Sequence, residues 1–315
     1  MRSSACSMET APTDSIKIAG RTLITGATGF IGSALMGRLD NPVVLTRNPG
    51  RARETGPGAE YHGWNPAEGP PPLQALQGVK TVLNLAGETL DGRWTSGKKA
   101  RIRQSRVAGT RNLVSAIAQA DNPPETLISV SAVGYYGSRG DEVLDEAAAP
   151  GDDFLAGVCA EWEGEAMRAA GYGVRVVTPR LGLVIGRGGG AMKRMVPLFR
   201  CGLGGVLGGG GQYWSWIHLE DVIGIFLHAV ENRNLSGPLN AVAPQQVTNR
   251  VFTKTLGGVV KRPAIVRIPS LALKFTLGEF SSLLLSSQRV VPGVLEGSGY
   301  LFRYPELGVA LESTA

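Results

Sequence analysis

Three regularly spaced glycines, Gly26, Gly29 and Gly32, separate a hydrophobic run from an apolar segment near the amino end of the sequence. The run Ile16 to Thr25 predicts a buried strand, and Phe30 to Leu39 predicts a helix. In such a unit the glycines permit a tight turn, close approach of a phosphate, and close packing of helix on strand. The helix start then directs N–H groups at the anion. The pattern predicts a pyrophosphate site at Gly26, Thr28, Gly29, Phe30, Ile31 and Gly32.

The end of the next strand indicates which dinucleotide would bind. An acidic residue about 20 positions beyond the first glycine would bond the ribose 2′-hydroxyl of NAD. This sequence has Thr46 and Arg47 there, followed by Arg51 and Arg53. A guanidinium forms paired, charge-assisted hydrogen bonds with a 2′-phosphate. The sequence therefore predicts NADP(H) as the cofactor; the alternative is that Arg47 is a solvated loop residue.

The elements that must position these residues alternate along the chain. Alternating strands and helices favour a parallel sheet covered by helices on both faces. The predicted fold class is therefore α/β, a Rossmann-type doubly wound parallel sheet with a smaller C-terminal substrate lobe. Beyond the first strand and helix, strands are predicted at Pro42 to Thr46, Val79 to Leu85, Thr126 to Ser131 and Val174 to Pro179, and helices at Lys98 to Ala120 and Phe154 to Ala170.

The composition changes after Gly186, where two glycine-rich stretches flank a predicted helix at Met192 to Phe199. The amphipathic segment His218 to Val230 and the short strand Leu239 to Val242 are expected to return to the sheet. We therefore predict a disordered tail at 1–17 and an NADP-binding Rossmann domain at 18–186, with 217–243 returning to it. The substrate lobe is expected to comprise 187–216 and 244–315.

Composition limits the function classes. The 315 residues carry a net charge of +6, but Lys and Arg are scattered, which argues against a nucleic-acid partner. Cys6, Cys159 and Cys201 match neither a disulfide framework nor zinc-ligand pairs, and only three histidines are present, so no metal site is expected. The sequence shows neither a signal peptide nor an apolar run that could span a bilayer. We expect a cytoplasmic protein without a membrane partner; a homodimer is left open.

Several further motifs carry a family resemblance. The glycine turn, Asn84-Leu85-Ala86-Gly87, Gly109-Thr110 and Ser129 to Gly137 resemble the extended short-chain dehydrogenase/reductase superfamily. A larger set resembles one subfamily, the epimerase-like family of nucleoside-diphosphate-sugar epimerases that carries a C-terminal domain of unknown function. The resemblance covers Ile18 to Leu311. This set comprises Ser131-Ala132-Val133-Gly134-Tyr135-Tyr136-Gly137, Val158-Cys159, Trp162-Glu163, Gly188 to Met192, Gly202 to Gly205, Trp216-Ile217-His218 and Phe302-Arg303-Tyr304-Pro305-Glu306-Leu307.

The resemblance implies a Rossmann-type domain that binds NADP(H) and a substrate lobe built from the C-terminal part. By position, it implies that Thr46 and Arg47 hold the adenosine ribose-phosphate end of the cofactor. It likewise implies that Leu85 and Ala86 form the floor under the cofactor and that Val184 lies near the nicotinamide.

The sequence departs from the superfamily at the acid/base. The usual pair is Tyr-x-x-x-Lys, in which the lysine lowers the tyrosine pKa and orients the ribose. That pattern occurs nowhere in this sequence, and Phe154 and Val158 stand in its place. The serine that bonds the substrate oxygen is present as Ser131. Tyr135 and Tyr136 are candidate substitutes for the acid; the alternative is that both pack the turn or bind substrate without transferring a proton.

Other polar side chains receive supporting assignments. Arg106, where the superfamily often has asparagine, is predicted to neutralise the cofactor phosphates or a ligand anion, or else to lie on a helix surface. His218 and Asp221 are expected to fix the start of the returning helix. A pocket for a small polar ligand needs apolar rings with a few polar groups, and the residues expected to supply them are Gln212, Trp214, Trp216 and Asn240.

Two functions follow from these patterns. The first is an NADP(H)-dependent oxidoreductase or epimerase-type enzyme, in which Ser131 holds a small polar substrate; a sugar nucleotide follows from the family's name alone. The second is a catalytically silent protein that senses NADP(H) or presents a surface to a partner. The missing tyrosine and lysine motivate this alternative.

Overall fold

A parallel β-sheet forms the centre of the computed structural model, which describes residues 16–55 and 58–314. Residues 1–15, most of the predicted tail, lie outside the described residues. In chain order, the strands are β1 (Ile18–Thr25), β2 (Leu39–Thr46), β3 (Glu60–Gly63), β4 (Thr81–Asn84), β5 (Thr126–Ser129), β6 (Ser131–Ala132), β7 (Val143–Leu144), β8 (Arg175–Leu181), β9 (Leu183–Ile185), β10 (Gly205–Leu207), β11 (Tyr213–Trp214), β12 (Trp216–His218), β13 (Gly237–Ala241), β14 (Val247–Thr248), β15 (Val266–Ile268) and β16 (Arg289–Val290).

Helices connect these strands and cover the sheet. Within the described residues, no helix is both long enough and apolar enough to cross a bilayer. The α-helices are α1 (Phe30–Met36), α2 (Pro49–Thr55), α3 (Ser96–Arg103), α4 (Gly109–Gln119), α5 (Phe154–Met167), α6 (Met192–Arg200), α7 (Leu219–Glu231), α8 (Asn249–Val259), α9 (Ser270–Leu277), α10 (Ser281–Leu285), α11 (Gly293–Gly297) and α12 (Leu307–Glu312).

The order of the central strands is β13-β8-β5-β4-β1-β2-β3, with β6 also paired to β8. All of these pairs are parallel. The chain therefore runs outward from β1 to β3, crosses back to β4, and continues to the other edge. This confirms the predicted Rossmann-type sheet, and it brings the ends of β1, β2 and β4 together at one edge of the sheet.

Consecutive residues of the central strands face opposite sides of the sheet and enter two separate apolar cores. Side chains alternate in direction along a strand, so a strand buried on both faces reads as an unbroken apolar run. Each fully buried Leu, Ile or Val contributes about 1.5–3 kcal/mol. One core contains Ile24, Leu83 and Ile128, and the other contains Leu23, Val82 and Leu127.

Two predicted elements need correction. The first helix ends at Met36, and Leu39, predicted to be helical, begins β2 and pairs with Ile18. Sheet pairing and burial of Leu39 outweigh the helical pattern there. The predicted helix Lys98 to Ala120 is not a continuous α-helix, because a π-helical turn at Gln104–Ala108 separates α3 from α4. Such turns occur often at functional sites.

After β8 the chain leaves the central sheet and then returns. β9 pairs with β12 outside it, α7 follows, and β13 pairs with β8 at its edge. The glycine-rich segment that contains β10 pairs instead with β15 of the C-terminal part. The predicted returning helix and strand are therefore confirmed as α7 and β13.

Candidate functional site

The turn between β1 and α1 has room for glycine alone at two of its three spaced positions. Gly26 has a φ of +71°, and a Cβ there would lie 2.9 Å from the carbonyl carbon of Leu85. A Cβ on Gly32 would overlap the carbonyl oxygen of Gly26, so this glycine packs helix on turn. The N–H of Gly29 closes the turn by donating to the same oxygen at 2.9 Å.

The outer side of this turn is open. Thr28 and Gly29 are exposed, and Gly29 precedes α1 without any side chain capping the helix. The first N–H groups of a helix, here beginning with Phe30 and Ile31, have no intrahelical acceptor. The turn thus presents backbone donors on an accessible surface, as a pyrophosphate site requires.

A buried polar network supports the turn from below. Thr25 Oγ1 donates to Asn84 Oδ1 at 2.8 Å and accepts from the N–H groups of Leu85 and Ala86 at 3.0 Å each. The Asn84 amide in turn donates to Thr110 Oγ1 at 2.9 Å. These bonds fix the loop after β4 beside the turn, where Leu85 and Ala86 are predicted to form the cofactor floor.

Sequence reasoning gave Asn84 and Thr110 no role beyond their place in motifs. Asn84 also donates to Ser129 Oγ at 3.0 Å, and Trp162 Nε1 donates to Thr110 Oγ1 at 2.9 Å. The available signal was an asparagine directly after the apolar residues Val82 and Leu83 of a strand, since a buried amide must find hydrogen-bond partners. The network joins β1, β4, β5, α4 and α5 under one edge of the sheet.

Phe30 has a side-chain role that the pattern did not reveal. A Cβ on Gly189 would overlap its ring, and Cβ atoms on Gly186 and Gly190 would lie 2.9 and 3.1 Å from it. The glycine-rich segment after β9 therefore lies directly on α1. A Cβ on Gly190 would also lie 3.0 Å from the carbonyl oxygen of Val184. The segment that contacts Phe30 therefore also contacts Val184, which places Val184 near the turn. Its predicted position beside the cofactor requires this proximity.

Thr46 and Arg47 lie at the carboxyl end of β2, next to the β1–α1 turn. Thr25 pairs with Leu45, so Thr46 and Arg47 follow directly beyond the start of that turn. Asn48 N–H donates to Thr46 Oγ1 at 3.3 Å. Arg47 is exposed, and in the described part of the chain no carboxylate forms an ion pair with it.

Arg106 supports the loop after β4. It lies in the π-helical turn, and its Nη1 donates to the carbonyl oxygen of Glu88 at 3.0 Å. The guanidinium lies 5.3 Å from the ring centroid of Trp162, and a Cβ on Gly87 would lie 3.1 Å from its Cζ. Burial lowers the pKa of Arg106. The half-buried side chain is not a free helix-surface arginine, and its predicted role toward phosphates stays a prediction.

Ser131 has a buried hydroxyl for which the described part of the chain supplies no well-formed hydrogen bond. Among the described residues, none meets hydrogen-bond geometry with its Oγ, although the residue is only 2% exposed; its polar neighbour is the thiol of Cys159. Burial raises the pKa of Cys159 to about 12, so the thiol stays protonated and is not a nucleophile near neutral pH. An unpartnered buried hydroxyl is costly unless a ligand supplies the missing bond.

The start of α5 is apolar where the superfamily has its acid/base. Asp153 Oδ1 caps the helix by accepting from Ala156 N–H at 2.9 Å. Phe154 packs edge-on against Trp94, with ring centroids 5.8 Å apart, and Val158 is 3% exposed. Neither side chain can carry a proton.

Tyr136 is fully buried, and its hydroxyl is already engaged. It donates to Asn240 Oδ1 at 2.6 Å and accepts from Arg180 Nη1 at 2.9 Å. Burial, opposed in part by Arg180, raises the pKa of Tyr136 to about 12. This geometry favours the alternative given above, that Tyr136 packs the turn.

Tyr135 is placed differently. Its ring is half-buried, with Arg180 Cζ 3.5 Å from its centroid and the Tyr136 ring edge-on at 5.3 Å. Within the residues that the structure describes, the Tyr135 hydroxyl has no hydrogen-bond partner. Of the two candidate tyrosines, Tyr136 has its hydroxyl engaged, and Tyr135 has no partner for its hydroxyl among the described residues.

A buried ion pair fixes Arg180. Its Nε and Nη2 donate to the two carboxylate oxygens of Glu163 at 2.9 and 2.8 Å. Burial alone would lower the pKa of Arg180, but the bonds and charge of Glu163 and the hydroxyl of Tyr136 outweigh it and raise the pKa. Sequence reasoning missed this pair, although an arginine that follows the apolar residues of β8 signals a buried partner.

His218 caps the start of α7, as predicted, whereas the Asp221 carboxylate in the first turn binds the C-terminal segment instead. His218 Nδ1 accepts from Glu220 N–H at 3.2 Å, and its ring stacks on Tyr304 at 3.8 Å. The Asp221 carboxylate accepts from the N–H groups of Arg303 and Tyr304 at 2.6 and 2.9 Å. Burial, helped by the charge of Arg303, lowers the pKa of His218 to about 4, and burial raises that of Asp221. These residues anchor the C-terminal segment to the returning helix.

The expected pocket residues divide into two pairs. Trp216 and Asn240 are fully buried, so the prediction that they line a pocket is wrong; both complete the core instead. Gln212 and Trp214 are half-buried, and their side chains both donate to the carbonyl oxygen of Leu284, at 3.3 and 3.2 Å. They tie the segment after β10 to α10.

The profile of the NAD dependent epimerase/dehydratase family matches residues 22–241, and a domain of unknown function (DUF1731) matches residues 268–314. Epimerase family protein ML0860 of Mycobacterium leprae is 41% identical over 292 residues, which cover 91% of this chain and 93% of that protein.

Two solved structures extend the comparison. The crystal structure of human epimerase family protein SDR39U1 (isoform 2) with NADPH has a TM-score of 0.83 and 36% identity, covering 94% of this chain and 99% of that one. The nucleoside-diphosphate sugar epimerase from Corynebacterium glutamicum has a TM-score of 0.74 and 33% identity, covering 93% of this chain and 58% of that one.

Proposed function

Because this chain belongs to the NAD dependent epimerase/dehydratase family, we propose that it binds NADP(H) and acts on a carbonyl or carbinol group of a small polar substrate. The observation that carries the proposal is the open glycine turn with the exposed guanidinium of Arg47 at the tip of the neighbouring strand. The NADPH in the human relative supports the choice of cofactor. When bound, the nicotinamide supplies or accepts hydride.

The residues of this chain would bind the cofactor, hold the substrate and transfer the proton. The backbone donors after Gly29 bind the pyrophosphate, and Arg47 pairs with the 2′-phosphate. The buried hydroxyl of Ser131 donates to the substrate oxygen and so acquires the partner it lacks. Tyr135 is the proposed proton donor or acceptor. A sugar nucleotide is the first substrate class to test, since a relative of 33% identity is named a nucleoside-diphosphate sugar epimerase.

Cofactor choice is tested by titrating NADPH and NADH into the wild-type protein and the Arg47→Gln variant. Loss of a charge-assisted pair costs about 1.5–3 kcal/mol, so we expect the Kd for NADPH to rise about tenfold or more while that for NADH hardly changes. Arg53→Gln is the matched control, since it removes an exposed arginine of α2. Equal NADPH affinity in all three proteins would refute the assignment of Arg47.

Turnover is tested by following NADPH oxidation with a panel of carbonyl compounds and by product analysis with sugar nucleotides, because epimerisation consumes no net NADPH. We expect Ser131→Ala and Tyr135→Phe to abolish activity while NADPH affinity stays unchanged. Tyr136→Phe should instead lower stability, because it removes the buried hydroxyl that donates to Asn240 Oδ1 and accepts from Arg180 Nη1. If Tyr136→Phe remained folded and lost turnover while Tyr135→Phe kept it, the roles proposed here would be reversed.

A second function, NADP(H) sensing without turnover, is favoured by one observation: Phe154 and Val158 leave the start of α5 without a proton carrier. A sensor would bind a partner differently with NADPH and with NADP+. Affinity purification of the tagged protein in each redox state tests this. A partner retained equally in both states and without cofactor would argue against sensing.

A further inference from the structure

Helix α9 carries apolar side chains on two opposite faces. Its inner face buries Leu273 and half-buries Leu277. On its outer face, Leu271 and Phe275 are 77% and 82% exposed. These two residues are four positions apart, so they are neighbours on the helix surface. The solvent face of a surface helix normally carries polar residues, and the outer face of α9 therefore has the character of a contact surface.

The strands next to α9 extend this apolar face. Ile265 is 84% exposed, and Val266 of β15 is also exposed. Val266 pairs with Gly205 of β10, and Leu203, two positions before Gly205, is 63% exposed. The N–H of Leu203 donates to the carbonyl oxygen of the exposed Leu198 at 2.9 Å. The apolar surface defined in this way consists of Leu198, Leu203, Ile265, Val266, Leu271 and Phe275.

The charges on the same elements are all positive. From Arg250 to Gly278 the sequence has six basic residues and no Asp or Glu. Arg262 Nε donates to the carbonyl oxygen of Arg200 at 3.2 Å, which places Arg262 beside the end of α6. In the part of the chain that the structure describes, no carboxylate forms an ion pair with the exposed basic residues of the apolar surface, which are Arg200, Lys261, Arg262, Arg267 and Lys274.

The shape and charge of this region favour one kind of partner. Leu271, Phe275 and Ile265 stand out from the surface, so a rigid protein partner would need a matching pocket for each of them. A fluid lipid surface admits such side chains without preformed pockets, and its anionic headgroups attract the basic residues around them. A second copy of the chain, joined through this face by two-fold symmetry, would bring the same positive charges together.

We propose that the apolar surface docks the protein reversibly on an anionic lipid bilayer. Leu271, Phe275 and Ile265 enter the headgroup region, and the surrounding basic residues pair with the lipid phosphates. The expectation of no membrane partner came from the lack of a signal peptide and of an apolar run that could span a bilayer. Attachment to the bilayer surface requires neither feature. The proposal is independent of the proposed enzymatic function.

The test is flotation of the full chain with vesicles made of equal amounts of phosphatidylglycerol and phosphatidylcholine, or of phosphatidylcholine alone. We expect binding to the mixed vesicles only, weakened by added salt. Leu271→Ser with Phe275→Ser should lower the affinity for the mixed vesicles about tenfold or more. Arg267→Gln with Lys274→Gln should also lower it about tenfold or more, because each removed cation weakens the attraction to anionic headgroups.

The matched controls are Leu301→Ser and Arg53→Gln. Leu301 is 88% exposed and follows Tyr300, whose hydroxyl donates to the carbonyl oxygen of Asp221 in α7, and Arg53 is an exposed arginine of α2. Both controls should bind the mixed vesicles as the wild type does, and thermal melting checks that every variant is folded.

Equal binding to the two kinds of vesicle, or control variants that lose as much affinity as the test variants, would overturn the proposal. Sedimentation velocity distinguishes self-association. A dimer that Leu271→Ser with Phe275→Ser dissociates, formed by a protein that does not float with the mixed vesicles, would assign the apolar surface to a second copy of the chain and refute lipid docking.

Discussion

The β1–α1 turn and the start of α5 differ in the atoms that would contact a ligand, which are main-chain atoms at the turn and side-chain atoms at α5. The turn is built from backbone: Gly26 and Gly32 are there because a Cβ would collide with neighbouring main chain, and the donors are N–H groups. The region around α5 depends on side chains, and two of them, Phe154 and Val158, cannot do what the superfamily's residues do. A cofactor site made of backbone can therefore persist while the acid/base chemistry beside it changes.

The side chains around α5 have become a structural network. Glu163, Arg180 and Tyr136 form a chain of buried hydrogen bonds that ends at Asn240. Such a network stabilises one arrangement only when every member is satisfied. We therefore expect substitutions in this network to alter stability far more than cofactor affinity. Substitutions in the turn should alter cofactor affinity more than stability.

The largest expected effect is that of Glu163→Ala on stability. Breaking a buried ion pair leaves Arg180 uncompensated and costs about 3–5 kcal/mol, while the Kd for NADPH should change less than twofold. Urea denaturation and NADPH titration measure the two quantities. Glu163→Gln, which keeps hydrogen-bond acceptor capacity, should remain folded and lose less.

Glu161→Ala is the matched control on the same helix. Glu161 pairs with Arg103 at 2.5 Å, but the two side chains are 42% and 58% exposed, and exposed pairs contribute about 0–1 kcal/mol. Equal losses of stability from Glu161→Ala and Glu163→Ala would show that burial of the Arg180 pair is unimportant.

Gly32→Ala should have the next largest effect, and this effect should appear in the affinity for NADPH. The added methyl overlaps the carbonyl oxygen of Gly26, so α1 must move away from the turn. Overpacking of this kind costs about 1–3 kcal/mol, and we expect a Kd for NADPH about ten- to a hundredfold higher. Gly37→Ala at the end of α1 is the control, because its Cβ would have its nearest neighbour, the Ala34 oxygen, at 3.8 Å. Unchanged NADPH affinity in Gly32→Ala would contradict a backbone-built site.

The pH dependence of stability tests the second side-chain-built region, at His218. Its folded pKa of about 4 lies below the ordinary value of about 6.5, so the unfolded chain binds more protons between these values. Stability should fall as pH falls from 6.5 toward 4, by about 2 kcal/mol between pH 7 and pH 4.5. His218→Asn, which retains a capping side chain, should lose less over the same interval.

Urea denaturation of both proteins at the two pH values measures this difference. The raised pKa of Asp221 contributes with the opposite sign, since its carboxyl is protonated more readily in the folded state. That contribution is present in both proteins, so their difference reports His218. Parallel stability curves would mean that His218 is not buried as a neutral ring.

Much of the fold and of the geometry of the β1–α1 turn was predictable because the signals are local. The spacing of Gly26, Gly29 and Gly32, the apolar runs of the strands and the position of Arg47 each depend on a few neighbouring residues. The family matches confirm the resemblance drawn from such motifs. Local patterns were less reliable at element ends, where Leu39 joined the sheet because Ile18 was there to pair with it.

By itself, then, the sequence determined the alternating α/β sheet and the turn that offers backbone donors to an anion, because these follow from periodicity and from where a side chain cannot fit. Only the tertiary structure decided which polar groups are left free. The Tyr136 hydroxyl donates to Asn240, 104 positions away, while within the described residues neither the buried Ser131 hydroxyl nor the Tyr135 hydroxyl has such a partner. Hydrogen-bond partners and cavities are set by elements distant in the chain, and they exist only when the whole sheet and its C-terminal segment are assembled.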